Sequence, residues 1–445
     1  MTAAPTPTRT EAVGRATGAG AESLLARQAR RERAARIHAR SLPIVPVRTR
    51  GMTVDGANGR RYLDCLAGAG PLVLGHSHPV VLEAIRAVPD TEAPARATPI
   101  EARFVETLFA TLPPGFAGDA RILFCGPEDT DAVDAAIGLA QGATGRADVL
   151  VSAGLCRGAL PRTGAVTRLP YPNPARSGDS SGAIADLLAD AAARGAVPSA
   201  VVLEAVRGDG EMVTAPDRWM REIRRLTDRY GIPLIVDETQ TGLARTGAFW
   251  AVEHSGIVPD AIVVAQAAGG SLPLAAVVAR CGPHPRDPGA HPAAFRGNQI
   301  AMAAGTATIR HIRENRLDAH AARIGTRLAH GLRRVQAAEP MIGEVRGRGL
   351  MIGIELVDPD PDPDPDAASG GAHPHGAPAL AAAVRAEALD RGLIIGLGGR
   401  DDTVLRLLPP LTMTEEQAEA VLTRLADAVA AVGRRRRKTR TPPGS

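Results

Sequence analysis

Short apolar runs alternate with longer amphipathic stretches from about residue 100 to residue 315. The runs at Arg121–Cys125, Val149–Ser152, Ala200–Ala205, Pro233–Asp237, Ala261–Ala265 and Ala275–Ala279 predict strands buried on both faces. Between them, Thr130–Gln141, Pro216–Tyr230 and Gln299–Asn315 carry apolar residues at helical spacing. This alternation predicts an α/β fold with a large, doubly wound, mostly parallel sheet.

The flanks read differently. Ala21–His38 reads as a helix, and Gly51–Asp64 as a hairpin turning at Asn58-Gly59. A Gly-rich stretch, Cys65–Pro79, leads into a short helix at Val80–Ala87. After Leu317 come a helix, two strands around Gly343–Glu355, a further helix, strands at Gly392–Ile395 and Val404–Leu408, and a helix at Thr414–Val432. These pieces predict a small α+β domain built from both chain ends, residues 21–90 and 316–433, around a large domain at 91–315. The Asp-Pro repeat from Asp358 to Asp366 has no means of packing a core and reads as a surface loop. Residues 1–20, rich in Thr, Ala, Gly and Pro, read as a disordered tail, and the basic run in 434–445 as a solvated end.

Composition narrows the function. With 52 basic against 48 acidic residues, the chain lacks the charge of a nucleic-acid binder. No apolar run reaches membrane-spanning length and no signal-peptide core opens the chain, so a cytoplasmic protein is expected. Its four cysteines have no metal-type spacing and read as free thiols. Only one lysine occurs, Lys438, in the basic tail.

That scarcity matters at Ala265-Gln266-Ala-Ala-Gly-Gly-Ser-Leu-Pro273, where a polar residue follows a buried strand and precedes two glycines. The stretch resembles the class III aminotransferases, pyridoxal-phosphate (PLP) enzymes of fold type I. The resemblance extends over roughly 22–433 and is strongest to the diaminobutyrate:2-oxoglutarate aminotransferases, whose Gly-rich loop Cys65–Pro79 follows with Pro71 in place of a Thr. It implies that Gln266 stands where the family carries its Schiff-base lysine. A carboxamide is not an amine nucleophile.

The remaining motifs divide into retained and altered. Leu234-Ile-Val-Asp237-Glu-Thr-Gln240-Thr-Gly242 with Arg245-Thr-Gly247 resembles the family's ring site. The resemblance implies that Asp237 pairs with the pyridine nitrogen and Gln240 lies near the ring hydroxyl. Gly126-Pro-Glu128-Asp129-Thr130 carries two carboxylates where the family holds the phosphate at a helix start. At about 5 Å such carboxylates would repel a phosphate by a few kcal/mol; alternatively they simply cap the helix. Cys156-Arg157-Gly158 stands for the family's aromatic plate, and Ala294 for a phosphate-binding Thr shortly before Asn298. Glu204 and Arg406 keep the family's substrate-side pattern, Arg406 as a clamp for a carboxylate.

From these losses the sequence leads to an expectation of no cofactor, PLP being lost. The chain is then a PLP-independent enzyme on the same scaffold, acting on a small amine or amino-acid-like substrate by imine formation, cyclisation or condensation. Asp237, Glu128, Asp129 and Gln266 are its catalytic candidates. Arg406, Glu204, Gln240, Arg157, Cys156 and Asn298 are its substrate-binding candidates. Two alternatives stand beside it: a non-catalytic partner subunit of an active transaminase, and a conventional PLP-dependent diaminobutyrate-type transaminase. The family's habit implies a homodimer.

Overall fold

The computed structural model describes residues 42–88, 98–152, 164–173, 178–208, 210–280, 297–359 and 376–440. The predicted helix at Ala21–His38, the tail at 1–20, most of the Asp-Pro repeat, and Cys156 and Arg157 lie outside them.

In chain order the strands are β1 (Pro46–Arg50), β2 (Thr53–Gly56), β3 (Arg61–Asp64), β4 (Ala120–Phe124), β5 (Val149–Ser152) and β6 (Val166–Leu169). Next are β7 (Ala200–Leu203), β8 (Val206–Arg207), β9 (Val213–Thr214), β10 (Leu234–Asp237), β11 (Ala261–Ala265) and β12 (Ala275–Arg280). The last are β13 (Ile342–Arg348), β14 (Met351–Leu356), β15 (Leu393–Ile394), β16 (Gly396–Gly398) and β17 (Val404–Leu407). The α-helices are α1 (Pro79–Arg86), α2 (Pro99–Phe109), α3 (Asp129–Thr144), α4 (Ser181–Ala193), α5 (Asp217–Tyr230), α6 (Gln299–Glu314), α7 (Leu317–Ala338), α8 (Pro378–Asp390) and α9 (Glu415–Arg440).

Seven strands form the large sheet in the order β4-β12-β11-β10-β7-β5-β6. Its β11-β10-β7-β5-β6 stretch is parallel, while β12 runs antiparallel to both β11 and β4. The inner strands β5, β7 and β11 are buried along their length, as a sheet covered on both faces requires, while the edge strand β6 is partly exposed. On one face α3 lays down Ala132, Val133, Ala136, Ile137 and Ala140, and ends at Gly145 with φ 68°. On the other, α5 buries Trp219, Met220, Ile223 and Leu226, the spacing of one helical face. The architecture is therefore the α/β arrangement, with a large, mostly parallel sheet covered by helices, that the apolar pattern predicts.

Two four-stranded sheets and the two-stranded β8-β9 pair stand beside it. β15 pairs in parallel with β3, so the two ends of the chain share one sheet, β1-β2-β3-β15. The other, β13-β14-β17-β16, is antiparallel and places Arg406 opposite Gly353 on one side and Gly396 on the other.

The basic run is exposed at Arg434, Arg435 and Arg437, as a solvated end would be, but it is helical. Helix α9 continues to Arg440, with Arg435 on Glu387 at 2.6 Å and Arg436 on Asp358. Acids on other elements thus pair with part of the run, a feature that charge counting along the chain does not reveal.

Candidate active site

The carboxyl ends of β7, β10 and β11 point to one crevice, where open α/β sheets handle ligands. Each strand end delivers a residue the sequence singled out. Glu204 follows β7, Asp237 closes β10 and Gln266 follows β11.

One group gathers around Gly208. Glu204, 7% exposed, accepts the Gly208 N–H at Oε1 over 3.0 Å. A Cβ on Gly208 would lie 2.6 Å from Gln240 Oε1 and 3.1 Å from Glu204 Oε1, so both side chains close over the bare α-carbon. Arg406, 3% exposed on β17, donates through Nη2 to Gln240 Oε1 at 3.4 Å. A carboxylate, a carboxamide and a guanidinium from three distant stretches thus share one wall. Asp237 stands three residues before Gln240 on the same turn, its Oδ1 accepting the Thr239 N–H at 2.9 Å.

The second group joins β11 to the start of α3. Gln266 takes a left-handed φ of 53°, a costly conformation for a residue with a Cβ, and donates through Nε2 to Asp129 Oδ2 at 3.0 Å. Asp129 Oδ1 accepts the Thr130 N–H at 2.9 Å, and Asp131 accepts the Glu128 N–H at 3.2 Å. Asp131 also fills the space over Gly126, where a Cβ would meet its Oδ2 at 2.1 Å. The helix start is therefore supplied with acceptors by its own carboxylates, while the Glu128 side chain is exposed. Above Gln266 lies the Gly-rich loop: a Cβ on Gly70 would stand 4.0 Å from Gln266 Oε1, and Ser271 Oγ donates to the Pro71 carbonyl at 3.3 Å.

Asn298 has a different neighbourhood. It precedes α6 and accepts the N–H groups of Ile300 and Ala301 at 2.8 and 3.3 Å, acting as that helix's N-cap.

Two buried charges on the turn after β10 belong to the motif quoted from the sequence but have no role there. Glu238, fully buried, accepts the Val252 N–H at 3.0 Å and the Thr241 hydroxyl, and burial pushes its carboxyl up to about 7. Arg245, 2% exposed, donates to the carbonyls of Pro409 and Leu350. Both sit among apolar and small residues, Leu243, Ala244 and Phe249–Val252, and that is the one sequence signal that could have marked them.

Comparisons with known proteins follow this geometry. The family model for aminotransferase class-III matches residues 35–156 and 145–429. The chain is 42% identical over 442 residues to a diaminobutyrate–2-oxoglutarate aminotransferase of Rhizobium meliloti, covering 92% of this chain and 93% of that protein. It is 36% identical to the enzyme of the same name from Haemophilus influenzae, covering 92% of this chain and 95% of that one. Among solved structures, an ornithine aminotransferase of Toxoplasma gondii superposes with a TM-score of 0.77 at 23% identity, covering 97% of this chain and all of that one. An aminotransferase of Bacillus anthracis reaches 0.79 at 20% identity, covering 93% of this chain and 99% of that one.

These relatives correct the expectation of an enzyme that has abandoned PLP. Proteins this similar over nine-tenths of the chain carry aminotransferase names, so PLP is expected here and is not to be written off. Substitutions at single positions do not outweigh a family match that runs over residues 35–429. The residues fit the coenzyme at its ring end, where Asp237 supplies a carboxylate beside the Glu204–Gln240–Arg406 wall. At the other end, Asp129 and Gln266 are each half-buried, so their contact can part without opening the core, though Gln266 supplies no amine. With the family model matched almost from end to end and relatives above 30% identity spanning nine-tenths of the sequence, the chain belongs to the class III aminotransferases.

Proposed function

We propose that the chain serves amino-group transfer of the diaminobutyrate:2-oxoglutarate type, with PLP as coenzyme and a small amino acid and a 2-oxo diacid as its partners. The observation that carries this is the convergence of Glu204, Gln240 and buried Arg406 over Gly208, next to Asp237. PLP, when bound, supplies the electron sink that loosens bonds at the substrate's α-carbon. Asp237 would keep a proton on the pyridine nitrogen. Arg406 would take the substrate's carboxylate in a charge-assisted pair, with Gln240 bracing the guanidinium. Glu204 anchors the Gly208 turn that keeps this wall narrow.

Gln266 occupies the position read as the family's lysine, and the chain's one lysine, Lys438, lies in the basic run. Its carboxamide holds Asp129 and takes no proton at neutral pH. Coenzyme would therefore be kept by non-covalent contacts alone, and turnover would be slow for want of a basic amine. A homodimer in the cytoplasm is the setting that goes with this reading.

The test is an assay for glutamate formed from 2,4-diaminobutyrate and 2-oxoglutarate with added PLP, beside equilibrium dialysis of PLP. Reversible PLP binding, measurable glutamate, its loss in Arg406→Met and its increase in Gln266→Lys are expected. The proposal is overturned if neither the native chain nor Gln266→Lys binds PLP or forms glutamate.

A further inference from the structure

We infer that Arg245 is a positioning residue, fixing the strand that carries Arg406 against the turn that carries Asp237 and Gln240. The inference rests on reading those residues as the substrate site. Arg245 ends the turn that begins at Asp237, and the two residues before it, Leu243 and Ala244, hold φ of 52° and 70°. Left-handed backbone at two consecutive residues with a Cβ costs roughly 1–2 kcal/mol each. Surrounding contacts must therefore enforce this turn, and beside the Arg406–Gln240 hydrogen bond it is those of Arg245 that tie it to another sheet.

Its guanidinium donates through Nη1 to the carbonyl of Pro409 and, at 3.4 Å, to that of Leu350. The link is returned through the backbone, where the Leu350 N–H donates to the Arg245 carbonyl at 2.9 Å. Leu350 immediately precedes β14 and Pro409 lies two residues beyond β17. Those two strands pair with Gly353 opposite Arg406. One side chain thus grips the start of one strand and the end of its antiparallel neighbour, and Arg406 lies three residues before the gripped carbonyl of Pro409. A shift of that grip moves the guanidinium of Arg406 relative to Gln240 and Asp237.

Arg245 is also a poor device for stability alone. Among the described residues no carboxylate pairs with it, and its Nη2, fully buried, has no hydrogen-bond partner. Burial lowers its pKa to about 10, the mark of a charge that the surroundings leave uncompensated. Removing such a charge from water without a counter-ion is unfavourable, and an apolar side chain of similar bulk would fill the space at less cost. What the guanidinium adds is a planar terminal nitrogen, Nη1, that reaches two carbonyls at once.

The control is Arg348, which also bridges to the large-sheet side, on Asp217 at 2.9 Å, but among the described residues makes no hydrogen bond or ion pair with the 404–409 segment. The experiment uses the full chain and four forms: native, Arg245→Lys, Arg245→Met and Arg348→Met. Affinity for 2-oxoglutarate is read by calorimetry, and amide exchange at Leu405, Leu407 and Leu408 by hydrogen–deuterium exchange. In Arg245→Met the affinity should fall about tenfold and the three amides should exchange about tenfold faster. Arg245→Lys should recover part of both, since an ammonium reaches one carbonyl, and Arg348→Met should leave both within about twofold of native.

Native values in Arg245→Met, or equal changes in Arg348→Met, would overturn the inference. If the native chain shows no affinity for 2-oxoglutarate, the proposed function fails by itself, and the exchange rates still decide the role of Arg245. Should Arg245→Met not fold, the lysine form carries both readouts.

Discussion

Glu238 offers a pH-dependent measurement of how the turn after β10 is built. Its carboxylate is fully buried, receives the Val252 N–H and the Thr241 hydroxyl, and has the neighbouring Asp237 charge close by. Desolvation, the largest cause, raises its pKa from 4.5 to about 7, and Asp237 pushes the same way. The folded chain therefore binds this proton more tightly than the unfolded chain. The stabilisation is fully present below the unfolded value of 4.5 and is lost as pH rises through about 7. Between about pH 5.5 and about pH 8.5 the change for one such carboxyl amounts to roughly 2 kcal/mol. Glu238→Gln keeps the shape and the acceptor for Val252 while removing the titration. Urea unfolding of both forms at the two pH values isolates this group, because every other titration is shared. Relative to native, Glu238→Gln should gain roughly 2 kcal/mol on going from the acidic to the basic condition. A difference between the two forms that does not change with pH would refute the burial argument and place water at this carboxyl.

Other substitutions probe the elements that frame the site. Gln266→Glu would face Asp129 across about the present 3.0 Å with a second carboxylate. It should cost about 1 kcal/mol at pH 8, less the screening at this half-exposed place, and the loss should vanish in acid as the pair protonates, read by urea midpoints. Gly305→Ala would set a methyl 2.0 Å from the Ala268 carbonyl oxygen, forcing α6 away from the turn after β11. A loss of about 3 kcal/mol is expected in denaturant unfolding, since backbone is less able than a side chain to yield. Thr98→Ala removes the hydroxyl that accepts the Glu101 N–H at 3.1 Å at the start of α2, and should lower stability by about 1 kcal/mol in the same assay.

Local order was largely legible along the chain. The apolar runs at Val149–Ser152 and Ala261–Ala265 became strands with those bounds, because a segment buried on both faces must be apolar throughout. Asn58-Gly59 turned the hairpin, with Gly59 at φ 77°. The two-residue strands β8 and β9, the strand Val166–Leu169 and the helix Ser181–Ala193 escaped, being too short or too alanine-rich to show a period.

The site was legible as a set of residues but not as an arrangement. Gln240 and Arg406 are 166 positions apart, and Gln266 and Asp129 are 137 apart. Periodicity acts over a few turns and says nothing about such pairs; their meeting depends on strand order and on where β17 settles beside β14. The fates of charged residues were decided at the same level. Arg435 and Arg436 found acids on other elements, while Glu238 and Arg245 went into the interior, where dielectric and distance set a charge's behaviour. The amino-acid order thus determined which segments become strand or helix and which chemical groups are present. Only packing in three dimensions decided which of those groups share a wall, because desolvation and hydrogen-bond geometry exist only between surfaces that have met.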